Sequence, residues 1–334
     1  MRKEFVLFLM LMLVGCSNSE HNNEVVVYTS VDQHYSEPVL TAFEAETGIH
    51  VRIAFDVEAS KTTGLVNRLI AESKKPKADV FWNGEFAQTA LLASHGILAK
   101  YKPSAKNQTR WSDPENYWSA FGGRARVLII NREKLANGPF PRTLDDFLDQ
   151  RWPPKKVGLA LPLFGTTATH SAALWAQMGE DKASTFFQQL KQRGVSFVDG
   201  NSVVRDKVVA GELWFGLTDS DDACVAVARG APLEIRFLDQ DPKEIGTLVI
   251  PNTVALIAGG PNPENGRRLI DYLLKERTKE HLARLGWFHI LNGRIGTGLD
   301  CPLPTTIHIQ DIAPQRIIDN FEQSQSYLRK LLLR

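Results

Sequence analysis

The chain has 334 residues, a formal net charge of +1, 43% hydrophobic residues and 23% charged residues. That balance belongs to a folded globular protein, and the near-zero charge supplies no field to draw it onto nucleic acid or an anionic membrane. The length accommodates two domains of ordinary size.

At the start, Arg2 and Lys3 precede the apolar run FVLFLMLMLVG. The run is shorter than the ~20 residues that span a bilayer, and after basic residues it reads as an export signal. It closes on LVGC, Leu13 to Cys16, which resembles the lipobox of bacterial lipoproteins. The resemblance implies cleavage before Cys16, lipid on its thiol, and a mature chain anchored to a membrane rather than spanning it. An ordinary signal peptide with a chance cysteine is the alternative. Residues 1–16 are read as the leader, and 17–24, with SNSEHNN, as a polar tether. No later segment is apolar enough to cross a membrane.

EVVVYTS is a β-branched run that ends in a loop. YSEPVLTAFEAETGI places apolar residues at Val39, Leu40, Phe43 and Ile49, with Gly48 near the stop, which predicts an amphipathic helix. HVRIAFD, TTGLVNRLIAES, ADVFWN and EFAQTALLASHGIL continue the alternation of strand and helix. Short connections between them predict an α/β fold with mainly parallel pairing. RARVLIIN opens a second series that runs through GLALPL, TTATHSAALWAQMG, KASTFFQQLKQRG, SFVD, NSVVRDKVVAGE and LWFGLT. IGTLVIPNTVALIAGG is a second long β run, and DIAPQRIIDNFEQSQSYLRKLLLR predicts a terminal helix. The β runs near 124–131 and 246–257 read as strands crossing between two lobes, with one continuous sheet as the alternative. Cys224 and Cys301 either pair in an oxidising compartment or stay separate buried thiols.

The stretch GLTDSDDACVAVARG follows an apolar strand and sets Asp219, Asp221 and Asp222 where a helix begins. One acid suffices to cap a helix. Three in four residues repel one another and raise each other's pKa, which predicts a positive partner. The carboxylates are hard oxygen donors of the kind that hold hard cations.

Five segments, VVVYTSVDQHYSEPVLTAFEAETGIHV, KADVFW, GGRARVLIINREKL, FVDGNSVVRDKVVAGE and GLTDSDDACVAVARGAPLE, fall in an order that resembles the type II periplasmic solute-binding proteins of ABC transporters. The resemblance covers roughly residues 25 to 295 and is to their ferric-iron-binding branch. It implies two α/β lobes, joined by two crossing hinge strands, with a ligand cleft between them. One lobe comprises 25–124 plus 252–300 and the other 125–251 plus 301–334. In the iron-binding branch two adjacent tyrosines stand where this chain has Asp221 and Asp222. The resemblance further implies metal donors at Asp32, Glu85, Asp221 and Asp222. It places a synergistic phosphate or carbonate at Gly165, Thr166 and Thr167, with Arg124, and Asn201 adding a donor. Loop acid, helix cap and hinge salt bridge are the competing readings of these residues. His34 reads as solvent-facing, and His170 and His289 as structural.

The function so implied is a lipid-anchored, monomeric binding protein on the outer side of a membrane that hands Fe(III) to an ABC permease. An organic solute such as thiamine, a phosphonate or a sugar is the alternative, with Trp82, Trp214 and Tyr28 free to stack on it. A sensory lipoprotein is a third reading. The chain carries no GxSxG, HExxH, P-loop or Rossmann glycine set, so enzyme readings find no motif.

Overall fold

The computed structural model describes residues 23–56, 62–104, 109, 111–136, 138–291, 294–296 and 298–333. The leader, Cys16 and most of the tether lie outside the described residues. The first series is β1 (Glu24–Thr29), α1 (Gln33–Thr47), β2 (His50–Phe55), α2 (Thr63–Ala71), β3 (Val80–Asn83), α3 (Ala87–Ser94) and β4 (Leu98–Ala99). The long β5 (Ser119–Asn131) leads to β6 (Val157–Ala160), α4 (Gly165–Met178), α5 (Glu180–Arg193), β7 (Ser196–Val198), α6 (Asn201–Val209), β8 (Phe215–Asp219), α7 (Ser220–Ala228) and β9 (Leu233–Phe237). Then come β10 (Val249–Ile257), α8 (Pro263–Leu273), α9 (Glu276–Arg284), β11 (His289–Leu291), β12 (Arg294–Gly296) and α10 (Pro314–Leu332).

The main sheet runs β2-β1-β3-β10-β5-β8-β6-β7, with β4 on β10 and β9 on β5. β1 pairs in parallel with β2 and β3, and β6 with β7 and β8. The centre is antiparallel, because β10 returns against β3 and β5, and β5 against β8 and β9. The expectation of mainly parallel pairing is corrected there: a strand that carries the chain back between two halves runs against its neighbours. β5 pairs with β10 from Ser119 to Ala125, then with β8 and β9 from Arg126 onward, so one strand serves both halves of the sheet.

The sequence sets the place of that handover. Gly122 and Gly123 have φ of 62° and 146°, beside a register shift between Ile250 and Asn252. A Cβ on Gly122 would collide with Nε1 of Trp287. Only glycine satisfies both the backbone angle and the close approach, and the irregularity bends the strand where the halves meet. Beyond it the run from Ala125 to Ile130 is buried throughout, Arg126 included.

Each half carries its own packed faces. Val25, Val27, Phe43, Leu269 and Leu273 cover one side of the first, and Leu65, Leu69, Phe81 and Leu92 the other. Leu128, Trp175, Phe187 and Leu217 fill one side of the second half, and Val127, Ile129, Val204 and Phe237 the other. α10 packs on α4 and α5 and also touches α3, so the terminal helix reaches both halves. No helix among the described residues is long and apolar enough to cross a membrane.

Cys224 on α7 and Cys301 form a disulfide with Cα atoms 5.5 Å apart and a sequence separation of 77. Closing a loop of that length restricts the unfolded chain by about 4.5 kcal/mol on the loop-entropy account. Reduction therefore lowers the unfolding midpoint by a corresponding amount. Denaturant titration with and without reductant measures it, and the Cys224→Ala/Cys301→Ala double variant shows no further response.

Asp239 gives a second stability test. It is buried, with φ of 53°. Burial, then Glu244 and Asp145, push its carboxyl up to about 6. An unfolded aspartate titrates near 3.9, so the folded state disfavours the ionised form. Below pH ~4 both states are protonated and the penalty vanishes; above pH ~6 it is present in full. Asp239→Asn, a residue that tolerates the left-handed region, raises stability by about 2 kcal/mol at pH 7.5 and by little at pH 4. Unfolding curves at the two pH values check both sign and window.

Candidate functional site

The C-terminal ends of the strands converge on one cavity, as they do in open α/β sheets generally. Its empty volume is about 480 Å³. Ser30 and Asp32 after β1, Thr62, and Gly84 after β3 line one wall. Phe164 to Thr167 at the start of α4, Asn201 at the start of α6, and Asp219 and Asp222 around β8 and α7 line the other. Arg124, on the shared strand β5, lies between them.

The acids of DSDD crowd together as their spacing implies. Asp219, Asp221 and Asp222 each offer an oxygen within 4.8 Å of the others. Their positive partners come from the chain itself. Arg126 is fully buried and donates from Nη1 to Asp219 Oδ1 at 2.5 Å. Arg124 Nε stands 3.4 Å from Asp221 Oδ2, and Arg205 Nη1 donates to Asp222 Oδ1 at 2.8 Å. Thr166 Oγ1 and Asn201 Nδ2 also donate to Asp219 Oδ2. Burial, then Asp221 and Asp32, still push the Asp222 carboxyl well above the ordinary range, against Arg205. For Arg124, burial works against the charge, but Asp221 and Asp219 more than offset it and raise its pKa.

The start of α4 is open. Gly165 takes φ of 50°, and the space where its Cβ would stand is empty. Ala168 N–H is the first to bond back along the helix, to Phe164 O. The amides of Gly165, Thr166 and Thr167 therefore keep donors to offer at the positive end of the helix, which suits an anion. The hydroxyls of the two threonines point elsewhere. Thr166 Oγ1 accepts from Arg126 Nη1, and Thr167 Oγ1 accepts from Arg126 Nη2 and donates to Asn201 Oδ1. Arg124 makes one hydrogen bond, from Nη2 to Asn252 Oδ1 at 2.8 Å. Its Nε stands buried against Asp221 and its Nη1 lies 3.9 Å from Asp219 Oδ2, so the donors it can offer the cavity are the remaining N–H groups on Nη1 and Nη2.

Of the residues expected at the site, Asp32, Arg124, Gly165, Thr166, Thr167, Asn201 and Asp222 line the cavity, and Asp221 adjoins it through Arg124. Glu85 does not line it. Its carboxylate is fully buried and accepts from the N–H groups of Ala87 and Gln88, from Asn83 Nδ2, and from Thr169 Oγ1 at 2.5 Å. It caps α3 and ties it to α4, while Gly84 takes the place at the wall. This corrects Glu85 as a cleft donor: its oxygens are already saturated by helix amides. The aromatics are placed likewise. Trp82 stacks in the core on Phe121 and lies tilted against Trp287, Tyr28 donates to Glu72, and Trp214 packs on the second half. His34 is exposed; His170 is buried, and burial, then Arg126, hold its imidazole well below the usual range and so neutral. The side chain of His289 lies outside the described residues.

Arg126 and Arg205 are the residues that sequence reasoning passes over. Both left a signal. Arg126 stands two residues from Arg124 in a strand, hence on the same face, inside a run otherwise apolar. Arg205 follows Asn201 by four residues on α6, one turn along the same side.

A family model described as bacterial extracellular solute-binding protein matches residues 75–288. The major ferric iron-binding protein of Neisseria meningitidis serogroup B is 22% identical over 281 residues, covering 81% of this chain and 82% of that protein. A putative 2-aminoethylphosphonate-binding periplasmic protein of Salmonella paratyphi A is 26% identical over 259 residues, covering 77% and 74%. Among solved structures, iron-bound HitA from Pseudomonas aeruginosa superposes with a TM-score of 0.80 at 20% identity, over 92% of this chain and 99% of that one. AfuA from Actinobacillus pleuropneumoniae, with fructose-6-phosphate bound, gives 0.78 at 17% identity, over 93% and 98%. At these identities the superpositions establish the two-lobed fold.

Proposed function

The chain belongs to the family of bacterial extracellular solute-binding proteins, and from that premise we propose that it carries a small organic solute with a phosphate or phosphonate group to an ABC permease. Members of the family are solute-binding transport proteins rather than enzymes. One observation carries the choice of solute: each carboxylate of the DSDD stretch already faces an arginine, while the residues at the start of α4, with their free amides, and Arg124 line the cavity. The acids are thus neutralised from within, and the unspent groups are donors. Donors at a helix N-terminus beside a buried guanidinium favour an oxyanion. Lobe closure about β5 and β10 would bring Ser30, Thr62 and Gly84 onto the solute's far side. We take the lobes as 25–124 plus 252–300 and 125–251 plus 301–334, and the anchor as lipid on Cys16.

Fe(III) with phosphate or carbonate is the second reading. The cluster of three acids within 4.8 Å favours it, as do the names of several relatives. Its donors would be Asp32, Asp221 and Asp222, with the anion at Arg124, Gly165, Thr166, Thr167 and Asn201. Tight coordination would then require the ion to displace Arg124 and Arg205 from their carboxylates, and removing one member of a buried pair is costly.

Thermal unfolding separates the two. A solute at 100 times its Kd stabilises the fold by about 2.7 kcal/mol. Inorganic phosphate, 2-aminoethylphosphonate or fructose-6-phosphate raises the midpoint, and ferric nitrilotriacetate without phosphate leaves it unmoved. A shift with ferric ion alone and none with the oxyanions would reverse the order of the readings.

A further inference from the structure

We propose that the hydrogen bond between Glu85 and Thr169 is a latch between the two halves, which holds the walls of the cavity in their binding arrangement without touching the solute. Glu85 is then a positioning residue rather than the cleft donor that the family resemblance implied. Its main chain belongs to the first half: the Glu85 carbonyl accepts from Asn83 Nδ2 at 2.7 Å and from Thr253 Oγ1, on β10, at 3.2 Å. Its carboxylate caps α3 through the amides of Ala87 and Gln88. Among the described residues, the donor that reaches that carboxylate from the second half is Thr169 Oγ1, on α4.

A run of hydrogen bonds behind the cavity joins its two walls through this bond. On the first wall, Ser30 Oγ and Thr62 Oγ1 both donate to Asn83 Oδ1. Asn83 Nδ2 donates in turn to Glu85 Oε1, and Glu85 Oε2 accepts from Thr169. Thr169 follows Thr166 by three residues, so the latch grips α4 about one turn from the amides offered to the oxyanion. All five residues of the run are buried, none more than 3% exposed.

Among the described residues, the Glu85 carboxylate is met by neutral donors alone. Burial pushes its pKa up, and Thr169 stands first among the groups that oppose the shift. A buried carboxylate held this way is destabilised by the loss of any one donor. The seam around it is apolar: Phe86 and Ala87 share a buried cluster with Ala168, Ala172 and Ala173 of α4. Water is therefore kept from standing in for the threonine. Parting the halves breaks the bond and closing them restores it. The latch raises the fraction of chains whose walls are in binding register, and apparent affinity scales with that fraction.

Solution X-ray scattering and calorimetry on the full chain test the latch. Thr169→Val keeps the shape of the side chain and removes its donor. It enlarges the radius of gyration of the solute-free chain and weakens binding of inorganic phosphate by about tenfold or more, the scale of a hydrogen bond to a charged group. Thr169→Ser, which keeps the hydroxyl, recovers most of both effects. Thr169→Ala is read the same way if the valine variant does not fold. A side chain that only supports the fold would lower the unfolding midpoint and leave radius and affinity at their wild-type values, and that result would overturn the latch. The affinity readout rests on the oxyanion reading of the cavity; the scattering readout does not. If the wild type binds neither phosphate, 2-aminoethylphosphonate nor fructose-6-phosphate while Thr169→Val still expands the solute-free chain, the oxyanion reading fails and the latch stands.

Discussion

Replacing Arg126 by methionine lowers stability by about 3–5 kcal/mol, the cost of stripping one partner from a buried ion pair. Arg126 is fully buried and Asp219 nearly so. Without the guanidinium, Asp219 keeps the donors of Thr166 and Asn201, and its nearest remaining counter-charge is Arg124 Nη1, at 3.9 Å and not hydrogen-bonded to it. The same change releases Thr166 Oγ1, Thr167 Oγ1 and Asn201 Oδ1, all of which Arg126 holds. The start of α4 therefore loosens as the core weakens. Urea unfolding followed by tryptophan fluorescence measures the loss. The double variant Arg126→Met/Asp219→Asn recovers most of it, because a neutral pair leaves no buried charge behind. An equal loss in the single and double variants would mean that packing, not charge, sets the contribution of Arg126.

Arg124→Gln weakens binding of a phosphate- or phosphonate-bearing solute by about 100-fold or more, since truncating a buried charged partner typically costs 2–5 kcal/mol. Two effects act together. The cavity loses a guanidinium at its wall, and Asp221 loses the counter-charge that stands 3.4 Å from it. Asp221→Asn acts in the opposite sense: it removes a negative charge from the oxyanion's surroundings and leaves affinity unchanged or tighter. Under the iron reading the same substitution removes a metal donor and weakens binding. Titration of both variants with one phosphonate and with ferric ion gives opposite signs for the two readings.

Much of the architecture was legible in the residues. The alternation from EVVVYTS to EFAQTALLASHGIL is the alternation from β1 to α3, because β-branched runs and 3.6-residue periodicity are local signals. The crossing strand showed as an unusually long β run, RARVLIIN. The reversed direction of its neighbours did not show, since pairing sense depends on where the chain returns in space.

The site was legible in its loops and less so in its charges. Asp219, Asp221 and Asp222 signalled an electrostatic need through spacing alone. Who meets that need is a tertiary fact: Arg126 comes from a strand 93 residues away and Arg205 from a helix 17 residues away. Glu85 shows the reverse case. The family resemblance implied a donor at the cleft there, but Glu85 stands at the start of α3, and free helix amides nearby took its oxygens.

Elemental analysis of the chain purified without chelators bears most directly on the claim that its own arginines, rather than a metal ion, neutralise the three aspartates. The account predicts protein that retains no stoichiometric iron, in wild type and in Asp222→Asn alike. One iron per chain, lost on substitution of Asp221 or Asp222, would contradict it.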